Sequence, residues 1–177
     1  MIILCNTFLM VKRSSSRSHA SVGFLLAQVG ARAAQRFAEA LAPLRLTPPD
    51  AGILRLLSHS PGISQQELAT RLEMHASRLV AVIDALQSRG LVVREANASD
   101  RRIYALQLSE AGREMLAEIG KVARAHDETM CAGLDAAERE RLAMLLGKIV
   151  TAQGLVQGVH PGYRTLGEAG QGARQGD

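Results

Sequence analysis

Asp100-Arg101-Arg102 follows Asn97-Ala98-Ser99 in a stretch rich in turn formers, and strand-forming residues begin directly after it at Ile103. Two adjacent guanidiniums with one carboxylate beside them are equipped to meet anionic groups such as phosphates, through charge-assisted hydrogen bonds. In isolation such a cluster is an exposed ion pair in a turn, worth about 0–1 kcal/mol to stability. Its meaning depends on where the rest of the chain places it.

No second constellation competes with it. His19 and His160 fall in polar end segments, and His59 precedes Ser60-Pro61 at a helix end. His126 is followed by Asp127 and Glu128, but no second histidine three or four residues away completes a metal pair, so a solvent-facing or core role is expected. The two cysteines, Cys5 and Cys131, make neither a disulfide framework nor a metal site, which fits a reduced, cytoplasmic setting. The glycine-rich stretch near the C-terminus lacks the Lys-Ser/Thr and following helix of a phosphate-binding loop. The reading is a protein that is not an enzyme and uses no metal or cofactor.

The chain of 177 residues, 47% hydrophobic and 21% charged, is expected to build one globular domain. Its net charge of +4 is unevenly placed: +5 over residues 1–49, +1 over 50–109 and −2 over 110–177. Charge alone therefore does not mark the central segment as a nucleic-acid binder. The first residues, MIILCNTFLMVKR, place an apolar run ahead of the basic residues, the reverse of a signal peptide, and the run is too short to span a bilayer.

The elements that must position the arginines are legible from period and caps. Residues 22–44 carry Leu25, Leu26, Val29, Ala33, Phe37 and Leu41 at helical spacing, a helix of about six turns. Thr47 and Asp50 are both candidate caps for a second helix bearing Ile53, Leu54, Leu56 and Leu57. Ser64 and Glu67 form a capping-box pattern for a short third helix ending near Leu72. A fourth helix has the apolar stripe Leu79, Val82, Ile83 and Leu86, and ends at Arg89-Gly90. The period then changes to about two for strands over 91–95 and 103–108, with the Asp-Arg-Arg loop between them. Ser109 and Asp135 cap two long helices that run to about Met130 and Gln153. Residues 1–21 and 154–177 lack core periodicity and are expected to be disordered tails.

This order is that of a mainly α protein with a small β-hairpin wing: a winged helix-turn-helix with helical dimerisation flanks. Four junctions sharpen it: Gly62-Ile63-Ser64-Gln65-Gln66-Glu67-Leu68-Ala69, Ser88-Arg89-Gly90-Leu91-Val92-Val93-Arg94, Asp100-Arg101-Arg102 and Leu108-Ser109-Glu110-Ala111-Gly112-Arg113. In that order and spacing, residues 22–153 resemble the MarR family of bacterial transcriptional regulators, with a DNA-binding lobe over about 50–109.

The resemblance implies a homodimer whose first and last two helices interlock, and double-stranded DNA as partner at a pseudo-palindromic operator. A recognition helix would start near His75, with Ser77, Ala81 and Asp84 opposite its apolar stripe and Arg78 and Ala85 flanking them. The implied DNA-contacting set is Ser64, Gln65, His75, Ala76, Ser77, Arg78, Ala81, Asp100, Arg101 and Arg102. Within it, Arg102 would enter a minor groove, Asp100 would orient it and Arg101 would meet a phosphate. Asp84, a carboxylate that phosphates would repel, is read as a structural residue or a charge partner. The chain departs from the family at Ala81, where many members are basic, and at Glu73, where many have glycine. Arg78 is left as the basic residue on the exposed face.

Neither cysteine stands where peroxide-sensing relatives carry theirs, so the resemblance implies release of a repressor by a small-molecule effector, in a cleft between the dimer helices and the DNA-binding lobe. Three Phe, two Tyr and no Trp do not identify that effector. The competing reading is a winged-helix module for protein interaction, without a specific DNA site.

Overall fold

The structure, a computed structural model, describes residues 21–96 and 104–155. The elements are α1 (Val22–Leu41), a 3-10 turn (Ala42–Leu44), α2 (Pro48–His59), β1 (Ile63–Ser64), α3 (Gln65–Arg71), α4 (Ala76–Ser88), β2 (Val92–Ala96), β3 (Tyr104–Leu108), α5 (Glu110–Met130) and α6 (Ala136–Ala152). A mostly helical chain with one small antiparallel sheet is thus what the periodicity called for. The expected tails lie outside the described residues, apart from Ser21, Gly154 and Leu155. Ser21 is the N-cap of α1, its hydroxyl accepting from the Phe24 amide at 3.2 Å.

The first helix and the sheet differ from expectation, the first hairpin strand running over Val92–Ala96 instead of 91–95. The first helix stops at Leu41 instead of reaching 44, and Ala42–Leu44 tighten into a 3-10 turn. Pro43 supplies the reason, since it has no amide hydrogen and its ring crowds the carbonyl four residues back. Arg45 then reverses the chain with φ +55°. The hairpin also gains a third strand. Gly62 turns at φ +83° and donates its amide to Leu106 O at 3.0 Å, which lays Ile63 opposite Leu106 and Ser64 opposite Ala105. The sheet order is therefore β1-β3-β2.

Caps explain most helix starts. Thr47 and Asp50 share one reciprocal box at α2: the Thr47 amide donates to Asp50 Oδ2 at 2.8 Å and the Asp50 amide to Thr47 Oγ1 at 3.4 Å. Ser64 makes only its own half of the expected box, accepting from the Glu67 amide at 3.1 Å. The Glu67 carboxylate turns to Arg71 instead, at 2.8 Å. Ser109 and Asp135 cap α5 and α6 as read from sequence.

The core fills the space between α2, α3, α4 and the sheet, where Ile53, Leu54, Leu68, Leu79, Ile83 and Leu106 are fully enclosed. The helix α5 leaves this lobe along α2 and α1. At its start Gly112 packs so tightly that a Cβ there would lie 2.1 Å from Leu91 O. Beyond the lobe the packing thins. Leu25, Leu26 and Val29 on α1 are exposed, as are Leu142, Leu145 and Leu146 on α6, and no α6 residue is buried. Phe37, in the same apolar series on α1, is partly buried against the core, its ring centroid 5.3 Å from that of His126.

Candidate nucleic-acid interface and the cavity behind it

The segment joining α3 to α4 makes a tight reversal. Glu73 sits at φ +49° and Met74 donates its amide to Ala69 O at 3.0 Å. This is the left-handed region, which costs a residue other than glycine about 1–2 kcal/mol. The glycine that many family members have at this place has a physical reason, and this chain carries Glu73 there. His75 follows as the N-cap of α4 without a side-chain cap bond, its carbonyl accepting from the amides of Arg78 and Leu79 at 3.0 and 3.1 Å.

The apolar stripe of α4 turns inward: Leu79, Ile83 and Leu86 are buried, and Val82 is half-buried. The opposite face carries Ser77, Ala81 and Asp84, all exposed, with Arg78 half-buried beside them, and His75 and Ala76 are exposed at the N-terminal end of the helix. Five of the residues singled out from sequence are thus brought onto one end of a single helix. Ser64 and Gln65 lie at the start of α3, where Ser64 is occupied as its cap.

Asp84 is held by the wing. Arg94 on β2 donates from Nη2 to Asp84 Oδ1 at 2.5 Å and from Nη1 to Gln87 Oε1 at 2.6 Å. A forked guanidinium binding two side chains one helical turn apart fixes the strand against the recognition helix in both position and angle. It also neutralises the one carboxylate on the exposed face of α4. Sequence alone left Asp84 as a structural residue or a charge partner and did not point to Arg94. The β2–β3 ladder ends with Ala96 opposite Tyr104. Asp100, Arg101 and Arg102 lie outside the described residues.

Behind the lobe, α1, α2 and α5 enclose a cavity of about 410 Å³. Its walls include Phe37, Pro48, Leu116 and Ile119, and its polar groups come from one stretch of α2: Arg55, Ser58 and His59. The Arg55 guanidinium has no carboxylate partner among the described residues. His59 Nδ1 lies 2.8 Å from Arg55 O and 3.1 Å from Ser58 Oγ. A carbonyl only accepts, so Nδ1 carries the proton and Nε2 is the atom left to a ligand. An apolar chamber with one cation that lacks a carboxylate partner suits a singly charged organic anion. The sequence reading missed Arg55 and His59; their signal was their spacing, four residues apart on a helix rich in apolar residues. Among the described residues no cluster of His, Cys, Asp and Glu could hold a metal, and no helix is long and apolar enough to cross a membrane.

Known proteins share this architecture. Residues 46–103 match the model of the MarR family. The HTH-type transcriptional repressor Rv2887 of Mycobacterium tuberculosis is 35% identical over 130 residues, covering 73% of this chain and 94% of the relative. The transcriptional repressor CouR, solved bound to a 23-mer DNA duplex, superposes with a TM-score of 0.65 at 36% identity, over 73% of this chain and 92% of that one. Rv2887 solved with salicylic acid superposes at 0.61 and 34% identity, over 75% and 98%. An exposed helix face braced by a wing, on a fold and sequence shared at this level, settles the classification: the chain belongs to the MarR family of winged helix-turn-helix transcriptional regulators.

Proposed function

We propose that this chain acts as a homodimeric, cytoplasmic repressor that binds double-stranded DNA at a pseudo-palindromic operator and leaves it when a small aromatic carboxylate occupies the α1–α2–α5 cavity. It performs no catalysis and takes no cofactor. The observation that carries this reading is the exposed face of α4 locked to the wing by Arg94. A helix of this kind fits a major groove, and a strand pair fixed beside it brings its loop to the adjoining minor groove.

In this reading the DNA-binding lobe spans about 50–109 within a unit of 22–153. His75, Ala76, Ser77, Arg78 and Ala81 face the major groove, with Ser77 and Arg78 as the polar contacts. Ser64 and Gln65 approach the backbone from the start of α3. Arg101 meets a phosphate, and Arg102, aimed by Asp100, enters the minor groove, where negative potential deepens as the groove narrows. Exposed apolar residues on α1 and α6 support the dimer, because a second copy supplies the apolar partner they lack in one chain.

Arg55 and the apolar walls support an organic acid as effector, and the Rv2887 relative solved with salicylic acid supports an aromatic one. Mobility shifts with the protein's own upstream DNA, an unrelated duplex and added salicylate test the whole reading. The upstream duplex should bind preferentially and be released by salicylate. Equal binding of both duplexes would point to the protein-interaction module instead.

A further inference from the structure

We infer that Arg89 is the link through which occupancy of the cavity reaches the recognition helix; this rests on the effector reading above. Arg89 stands at the C-cap of α4, and its guanidinium leaves that helix altogether. Nη1 donates to Arg45 O at 2.6 Å and Nη2 to Leu44 O at 3.0 Å. Both acceptors belong to the short segment between α1 and α2.

That segment is also what ties the two sides of the cavity together. Phe37 lines the cavity from the last turns of α1, and Pro48 lines it from the first position of α2. Between them the chain passes through a 3-10 turn and the left-handed Arg45 before Leu46 is buried again. A ligand that spreads α1 from α2 must move these carbonyls. Arg45 donates its amide to Ala42 O at 2.9 Å and Leu46 donates to Leu41 O at 3.4 Å, so in this tight turn the two carbonyls move together. A planar fork gripping two successive carbonyls transmits a displacement that a single flexible bond would absorb. The helix α4 otherwise packs mainly on α3 and β2, within its own lobe.

Coupling of this kind is a ratio of affinities, so it is separable from binding itself. Arg89→Ala should still bind salicylate as free protein, within about threefold of wild type, and should still bind the upstream duplex. What should collapse is the ratio of operator affinities without and with salicylate, expected at about 5–150-fold in wild type and near unity in the variant. Arg89→Lys, which keeps the charge but not the fork, should fall between the two and guards against a variant that fails to fold. A full ratio in both variants overturns the inference. Amide exchange over residues 42–47 reads the same link without any effector: DNA binding should slow it in wild type, less in Arg89→Lys and not in Arg89→Ala. Unaltered slowing in both variants also overturns the inference. Failure of salicylate to release wild-type protein would sink the effector reading while the exchange measurement still decides the role of Arg89.

Discussion

The Asp84 carboxylate and the Arg94 guanidinium meet at 2.5 Å, joining the exposed face of the recognition helix to the second strand of the wing. Arg94 is the better enclosed partner, 21% exposed against 55% for Asp84, so solvent screens the pair from one side only. Its value for stability is correspondingly small, about 1 kcal/mol or less. Its value for function lies in geometry and in charge.

Arg94→Ala should therefore cost more in DNA binding than in folding. It frees the wing and leaves an uncompensated carboxylate facing phosphates. Operator affinity should fall by at least about 1 kcal/mol, and the Asp84→Ala, Arg94→Ala double variant should recover part of that loss. Binding titrations beside denaturant melts of the three variants give the comparison; a double variant that binds worse than the sum of the singles would deny the pairing.

Gly112→Ala should destabilise the domain by about 1–3 kcal/mol, because the new Cβ meets the rigid backbone oxygen of Leu91 at 2.1 Å. A thermal melt indistinguishable from wild type would show that α5 can move away from the base of the wing at no cost.

Arg55→Ala should weaken salicylate by about tenfold or more, the value of a charge-assisted hydrogen bond in a partly enclosed site, while operator affinity stays unchanged. Calorimetric titration of the free protein reads the first, and a mobility shift the second. Unchanged salicylate affinity would place the acid group elsewhere.

Leu25→Glu or Leu145→Glu should shift the protein toward monomer, since each puts a charge on an exposed apolar face that a second copy is expected to cover. Sedimentation at micromolar concentration checks this. A dimer as tight as wild type in both variants would move the interface off α1 and α6.

Much of this architecture could be read from sequence because it is locally encoded. Ser109 and Asp135 begin helices by satisfying backbone amides three residues on, and Leu79, Ile83 and Leu86 recur at the helical period, so their roles survive without knowledge of the fold. What escaped is non-local. The strand Ile63–Ser64 is too short to show a period and exists because Gly62 delivers it to the free edge of β3. The cavity is assembled from α1, α2 and the distant α5, so Arg55 and His59 gain meaning only when α1 and α5 close over α2. The partners of Arg89 and Arg94 follow the same logic: a donor is visible in sequence, but its acceptor is chosen by packing. Asp84 was the intermediate case, since its place on the polar face allowed a charge partner without identifying which.

In the proposed function Arg102, aimed by Asp100, enters the minor groove, and the operator affinity of Asp100→Ala tests this most directly. Removing an acid raises the net positive charge, so electrostatics alone calls for tighter binding. If Asp100 holds Arg102 in position, its loss frees that side chain and binding should weaken, by up to about the 1–3 kcal/mol expected for Arg102→Ala itself. Weaker binding of Asp100→Ala at constant salt is the expected result; tighter binding would contradict the account.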